Sequence, residues 1–209
     1  ADYFVRVANG SVSSSRAGSN GSEWPVMTCS SSGSTATTTE IGGVKPQVAD
    51  AGENAGSSTL NTSTLVFSGG NLAGQQAQTV QAVSLTGSSA KQVDFGFNFS
   101  TVTNTNDSGQ GSLRQFLLNN RLLSTTGLAQ DLPASVAADY PAGTEACVFM
   151  IPTSQLVSGE ARIALSSPLE MARANTALDG RIQLANRGAG LLVLDGGNQG
   201  SASGGLTLA

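Results

Sequence analysis

The chain has 209 residues, of which only 11% are charged, and a formal net charge of −4. That length buries one good core or holds two small domains. Its eight Arg and its two Lys (Lys45, Lys91) are scattered, so no basic stripe exists for a phosphate backbone and no nucleic-acid partner is expected. No run reaches the ~20 apolar residues of a membrane span, and the absence of histidine removes Ser-His-Asp and Cys-His catalysis.

With so few charges, the surface must be Ser, Thr, Asn, Gln and Gly, a palette that suits strands and turns. The opening Ala1-Asp2-Tyr3-Phe4 is no signal peptide. Both termini are expected to lie inside a longer protein. Low charge, Ser/Thr richness and lack of His fit an exported, extracellular or cell-surface bacterial protein. Cys29 and Cys147 are either a disulfide joining two modules or two buried free thiols, because sequence separation does not report Cα distance.

In chain order, Tyr3 to Val7 predicts a half-buried strand with Tyr3, Val5 and Val7 on one face. Residues 8–22 read as a loop. Trp24 to Cys29 reads as a short strand that Pro25 pushes to an edge, and Ser30 to Thr39 as a hairpin or mobile loop. Residues 41–58 read as irregular, and Thr64 to Phe67 as a strand. Gln78 to Leu85 is a further strand whose alternation implies a bulge. Val93-Asp94-Phe95-Gly96-Phe97-Asn98-Phe99 alternates strictly, which predicts a core seam of Val93 and three rings. Alternation breaks at Ser100, because Val102 falls opposite Phe99; a domain boundary is expected there.

Ser112-Leu113-Arg114-Gln115 predicts a capping box, with Ser112 as N-cap and the Gln115 side chain reaching back. Leu113, Phe116 and Leu117 form the helix's apolar face, widened by Leu118, Leu122 and Leu123, and Gly127 is the expected stop. Short strands follow at Cys147–Pro152, Arg162–Leu169, Thr176–Gly180 and Leu191–Gly196. A Leu-Asp-Gly triplet recurs in the last two. Such brief strands fit coils of a parallel β-helix, and a sandwich also satisfies the pattern.

Val93-Asp94-Phe95-Gly96-Phe97 resembles the closing strand of the B-type repeat domains of bacterial collagen adhesins and serine-aspartate surface proteins, which are prealbumin-like β-sandwiches. Tyr3-Phe4-Val5-Arg6-Val7 is similar to an inner strand of that unit. Residues 102–115, with Phe149-Met150-Ile151-Pro152, Leu165-Ser166-Ser167-Pro168-Leu169 and Ala177-Leu178-Asp179-Gly180, resemble the N-terminal cap and first coils of right-handed β-helix regions in large exported bacterial proteins. The resemblance implies an all-β chain: an incomplete β-sandwich over 1–99, then a short capping helix and the start of a right-handed parallel β-helix over 100–209. Some such units carry a Lys–Asn isopeptide crosslink. With the opening strands of the unit missing before Ala1, neither Lys45 nor Lys91 matches that lysine.

Carboxylates are the remaining route to chemistry. Asp179 and Asp195 each precede a Gly after a strand, and stacked coils would bring them to one face as a glycosidase pair; Asp-Gly as a plain turn explains both copies too. For calcium, Asp50-Ala51-Gly52-Glu53-Asn54 supplies two carboxylates, and Asn104, Asn106 and Asp107 only one. Arg114 reads as a solvated or cap-paired cation. The expectation is therefore no catalytic residue, no cofactor and no metal in a structural or adhesive segment. Its expected partner is a glycan or a host or environmental surface protein, without membrane insertion in this segment. The competing reading is a carbohydrate-active β-helix enzyme or glycan-binding module.

Overall fold

Two kinds of strand pairing meet at Ser100. The computed structural model describes residues 2–32, 41–43, 46–48, 50, 66–68, 71–73, 78–84, 93–197 and 206–208. The chain is β-rich, mostly strands with few helices. Among the described residues, before Ser100 every pairing is antiparallel: β1 (Asp2–Arg6) with β5 (Val80–Ser84), β2 (Val26–Ser32) with β6 (Val93–Asn98), and β3 (Val66–Ser68) with β4 (Asn71–Ala73). After it every pairing between strands is parallel. β7 (Thr101–Val102) lies beside β9 (Val148–Phe149), and β8 (Glu145–Ala146) beside β12 (Thr176–Ala177). β10 (Glu160–Ala164) lies beside β13 (Leu191–Asp195), and β11 (Leu169–Met171) beside β14 (Leu206–Leu208). Parallel neighbours need crossovers, which here carry α1 (Leu113–Leu122), α2 (Ala134–Ala137) and α3 (Arg181–Arg187).

The change of pairing has a local cause. Asn98 Oδ1 accepts from the Ser100 N–H at 2.6 Å and from the Thr101 hydroxyl at 3.0 Å, turning the chain between β6 and β7. Val102 then enters a different environment, fully buried in the main apolar core. The break in alternation at Ser100 is this turn.

That core lies after the turn. Val102, Phe149, Ile163 and Leu169 come from strands, and α1 contributes Leu113, Phe116 and Leu117. Each is worth roughly 1.5–3 kcal/mol relative to exposure. β10 shows why its sequence forms a strand: Ala161 and Ile163 point inward, while Arg162 and Ala164 are exposed. Among the described residues no helix is long and apolar enough to cross a membrane.

Several expectations are corrected. Val5 is exposed at 37% rather than half-buried, while Val7 is half-buried as expected. The bulge sits in β2, where the register shifts between Met27 and Cys29, and β1–β5 runs in continuous register. Val93, Phe95, Phe97 and Phe99 are half-buried rather than a sealed seam. Phe97 and Phe99 line an open cavity of about 310 Å³ with the 12–16 loop and Leu128, which leaves the rings partly uncovered.

The Ser112 cap forms, its Oγ accepting from the Gln115 N–H at 3.1 Å, but the Gln115 side chain donates to Asn119 Oδ1 at 2.8 Å instead of reaching back. α1 stops at Leu122, five residues before Gly127, because Leu123 turns extended and is buried. Leu118 is exposed. The short helices α2 and α3 and the strands β4, β8 and β14 were not expected from pattern; Gly188, at φ 67°, ends α3. Lys45, Lys91 and Glu53 lie outside the described residues, as do 33–40 and 51–65.

Candidate functional site

The most elaborate chemistry lies where the early loop meets the end of α1. Glu23 gathers that loop: its carboxylate accepts from the N–H groups of Ser14, Asn20 and Gly21, and from the Ser19 hydroxyl. Burial would raise its pKa, but the Ser19 hydroxyl and the N–H groups of Glu23 itself, Asn20 and Ser14 outweigh it and hold the group at about 2. Gly18 (φ 94°) passes so close to α1 that a Cβ there would sit 2.0 Å from the Leu122 carbonyl oxygen. The Ser124 N–H completes the contact, donating to Ala17 O at 2.7 Å.

This docking carries Arg16 to Glu145. Its two terminal nitrogens donate to the two carboxylate oxygens at 2.8 and 2.6 Å, a bidentate pair with Glu145 fully buried. Ser100 Oγ donates to the same carboxylate at 2.6 Å and Asn120 Nδ2 at 3.0 Å. Arg16 Nε also donates to Ser124 O at 2.8 Å. Burial pushes the Glu145 carboxyl up, yet Arg16 and the two other donors hold it below its ordinary value, so it stays ionised. Burial, and the Glu145 charge, push the neighbouring Cys147 thiol well up, so this sulfur stays protonated. Cys147 is a buried free thiol and Cys29 an exposed one; no disulfide joins them.

Side-chain amides extend the same lock. Asn119 Oδ1 accepts from Trp24 N at 3.0 Å while its Nδ2 donates to Trp24 O at 2.8 Å and Phe99 O at 2.9 Å. Gln130 treats Ala146 likewise, and Gln183 treats Ile151, each binding both the N–H and the carbonyl of one residue at 2.8 Å. Each amide imitates a neighbouring strand for one residue, satisfying backbone groups that a two-stranded pair leaves open. Arg16, Glu145, Asn119, Gln130 and Gln183 were not singled out from sequence. Their only signal was collective: a chain this poor in charge spends amides where others spend ladders.

The residues that were singled out have structural partners. Asp50 is buried, accepting from Arg6 Nη2 at 2.8 Å, Asn9 N at 3.1 Å and Gln78 N at 2.7 Å, while its own N–H donates to Gln110 Oε1 at 2.7 Å. Asn104 Nδ2 donates to Pro46 O and Gln110 O, and Asn106 Nδ2 to Gln47 O. Asp107 pairs with Arg114 at 2.7 Å and accepts from Ser166; burial raises its pKa, and these two partners bring it below the ordinary range. Arg114 is cap-paired and also donates to Ser167 O and Pro168 O at 2.8 Å. Among the described residues no three His, Cys, Asp or Glu side chains gather as a metal would require.

Asp179 and Asp195 belong to different strand pairs. Asp195 lies opposite Ala164 in β13–β10, whereas Asp179 follows β12, which pairs with β8. Arg181 and the Tyr140 hydroxyl occupy Asp179 and hold it at about 2, against the opposing effect of burial. Arg162 occupies Asp195 at 3.1 Å. Both also accept from the N–H two residues on, in Arg181 at 2.8 Å and Gly197 at 2.9 Å. The repeated Leu-Asp-Gly is thus one turn built twice. Comparison with protein-family models, with curated proteins and with solved structures finds no match for this chain.

Proposed function

We propose that the chain is a non-enzymatic structural and adhesive segment of a large exported or cell-surface bacterial protein. In this reading residues 1–99 form a β-sandwich-like module, and residues 100–209 begin a right-handed parallel β-helix whose open apolar end is closed by α1. The observation that carries it is the parallel register itself. Residue 145 pairs with 176 and residue 160 with 191, both 31 residues on, while 101 pairs with 148 and 169 with 206, 47 and 37 residues on, as coils of one winding with connections of unequal length would give. α1 sits against this stack through Leu113, Phe116 and Leu117, in one core with Val102, Phe149 and Ile163.

The role is mechanical. A stack of parallel strands exposes backbone and apolar side chains at its ends, which invites edge-to-edge association. A helix with satisfied termini and an apolar underside covers such an end. The Arg16–Glu145 pair and the Asn119 clamp then tie the preceding module to the cap, so that load passes along the chain through buried polar bonds.

The test is Leu113→Asp with Leu117→Asp, compared with Leu118→Asp on the exposed side of α1. The buried pair is expected to aggregate or lose its cooperative melt, each buried charge costing roughly 4 kcal/mol or more, while Leu118→Asp melts as the parent does. An unchanged melt in the double variant removes the capping role.

A further inference from the structure

Beyond the capping role, and on different residues, a cavity of about 440 Å³ opens between β6, β9 and α3. It falls within the ~300–1,000 Å³ of small-molecule sites. Its polar lining is fixed at one end and open at the other. Asn98 Oδ1 is used by the Ser100 N–H and the Thr101 hydroxyl, which leaves both Nδ2 hydrogens unpaired among the described residues. Asn186 is the reverse: its Nδ2 donates to Phe149 O at 3.2 Å and its Oδ1 accepts nothing among the described residues. Gln130, bolted to Ala146 by both ends, holds the adjoining Asp131, whose carboxylate has no hydrogen bond or ion pair among the described residues. Val148, Met150 and Ile41 supply the apolar part of the wall.

We infer that this cavity binds one neutral hexopyranose ring of a glycan. A sugar hydroxyl donates and accepts at once, so it needs donors and acceptors side by side; Asn98 provides the first, and Asn186 and Asp131 the second. The C–H face of the ring needs the apolar wall. A phosphate or uronate is repelled by Asp131, the one charged side chain among the described lining residues. An ammonium ligand leaves the Asn98 donors unused. Because the amides are held by internal bonds before any ligand arrives, little ordering cost remains. With no aromatic platform among the described lining residues, the affinity for a single ring is in the millimolar range.

The experiment is saturation-transfer NMR on the whole chain with methyl glucoside, methyl galactoside and methyl mannoside, against methyl glucuronoside and ethylammonium. At least one neutral hexoside is expected to receive saturation, and the glucuronoside none. Asp131→Ala removes an acceptor and Met150→Trp fills the space; each is expected to weaken binding about tenfold or more with the melting temperature unchanged. Silence from all three neutral hexosides overturns the inference, as does equal or stronger transfer to the glucuronoside or to ethylammonium. Binding that survives both variants overturns it too. The outcome is independent of the Leu113 and Leu117 melts.

Discussion

The antiparallel region before Ser100 and the parallel region after it are held by different forces. In the parallel region Phe116, Phe149, Ile163 and Leu169 belong to one apolar cluster, beside buried polar side chains such as Asn104, Asn119, Glu145 and Gln183. In the antiparallel region the described buried apolar side chains are Val26, Met27 and Val83, and the buried polar ones include Asn9, Glu23, Asp50, Gln78 and Thr79. There Asp50 alone draws together three segments through Arg6, Asn9 and Gln78. A hydrophobic core tolerates sliding and repacking, whereas a buried carboxylate with fixed donors accepts one geometry only. The parallel region adds a large apolar cluster to its directed bonds, the antiparallel region relies mainly on the directed bonds, and the Arg16–Glu145 pair joins them.

Cutting that joint has the largest expected effect. Arg16→Ala or Glu145→Ala leaves a buried charge unpaired, at a cost of roughly 3–5 kcal/mol, or roughly 6–20 °C in Tm for a chain of this size. Replacing both by Met is expected to recover part of the loss, because the desolvation cost goes with the charges. Calorimetry on the two single variants and the double variant measures this. Equal, additive losses would mean that the pair does not couple the regions.

A smaller effect is expected where the loop only touches α1. Gly18→Ala forces a Cβ against the Leu122 carbonyl and places a side chain at positive φ. The expected loss is about 1–3 kcal/mol, read from the denaturant midpoint. Hydrogen exchange should localise it to the 14–24 loop and the last turn of α1. Exchange that rises instead across β10 and β13 would show that the two regions are not separable in this way.

Acid acts on the bonded carboxylates of both regions. The Glu23 carboxyl binds its proton more weakly in the folded chain, at about 2 against 4.5 for a free glutamate. Its contribution is therefore complete above pH 4.5 and is lost as pH falls toward 2, because protonation favours the unfolded chain. Glu145, also lowered, adds in the same direction. Denaturant midpoints measured between pH 6 and 2 are expected to fall in the parent and to fall less steeply in Glu23→Gln. Identical slopes would take Glu23 out of the account.

The smallest effect belongs to the exposed turn of the parallel region. Asp195→Asn removes a surface pair with Arg162 and keeps the amide oxygen that caps Gly197. Its melting temperature is expected to match the parent's within the scatter of the measurement. A clear loss would mean that directed bonds matter as much here as before Ser100.

Local features were legible in the sequence. The Ser112 cap and the start of α1 follow from a hydroxyl placed before an apolar helical stripe. The change at Ser100 follows from side chains that stop alternating. The turns at Asp179 and Asp195 follow from Asp-Gly, because an Asx side chain binds the N–H two residues on wherever it stands. Such features depend on neighbours within a few residues, and these the chain carries with it. Folding decided the rest by bringing distant residues together. That Glu145 meets Arg16, that Asn119 clamps Trp24 and that Gln183 clamps Ile151 depends on contacts across tens of residues. The half-burial of Phe97 and Phe99 is of the same kind, since a strand's pattern states which side chains share a face, and only the packed neighbours state what covers it.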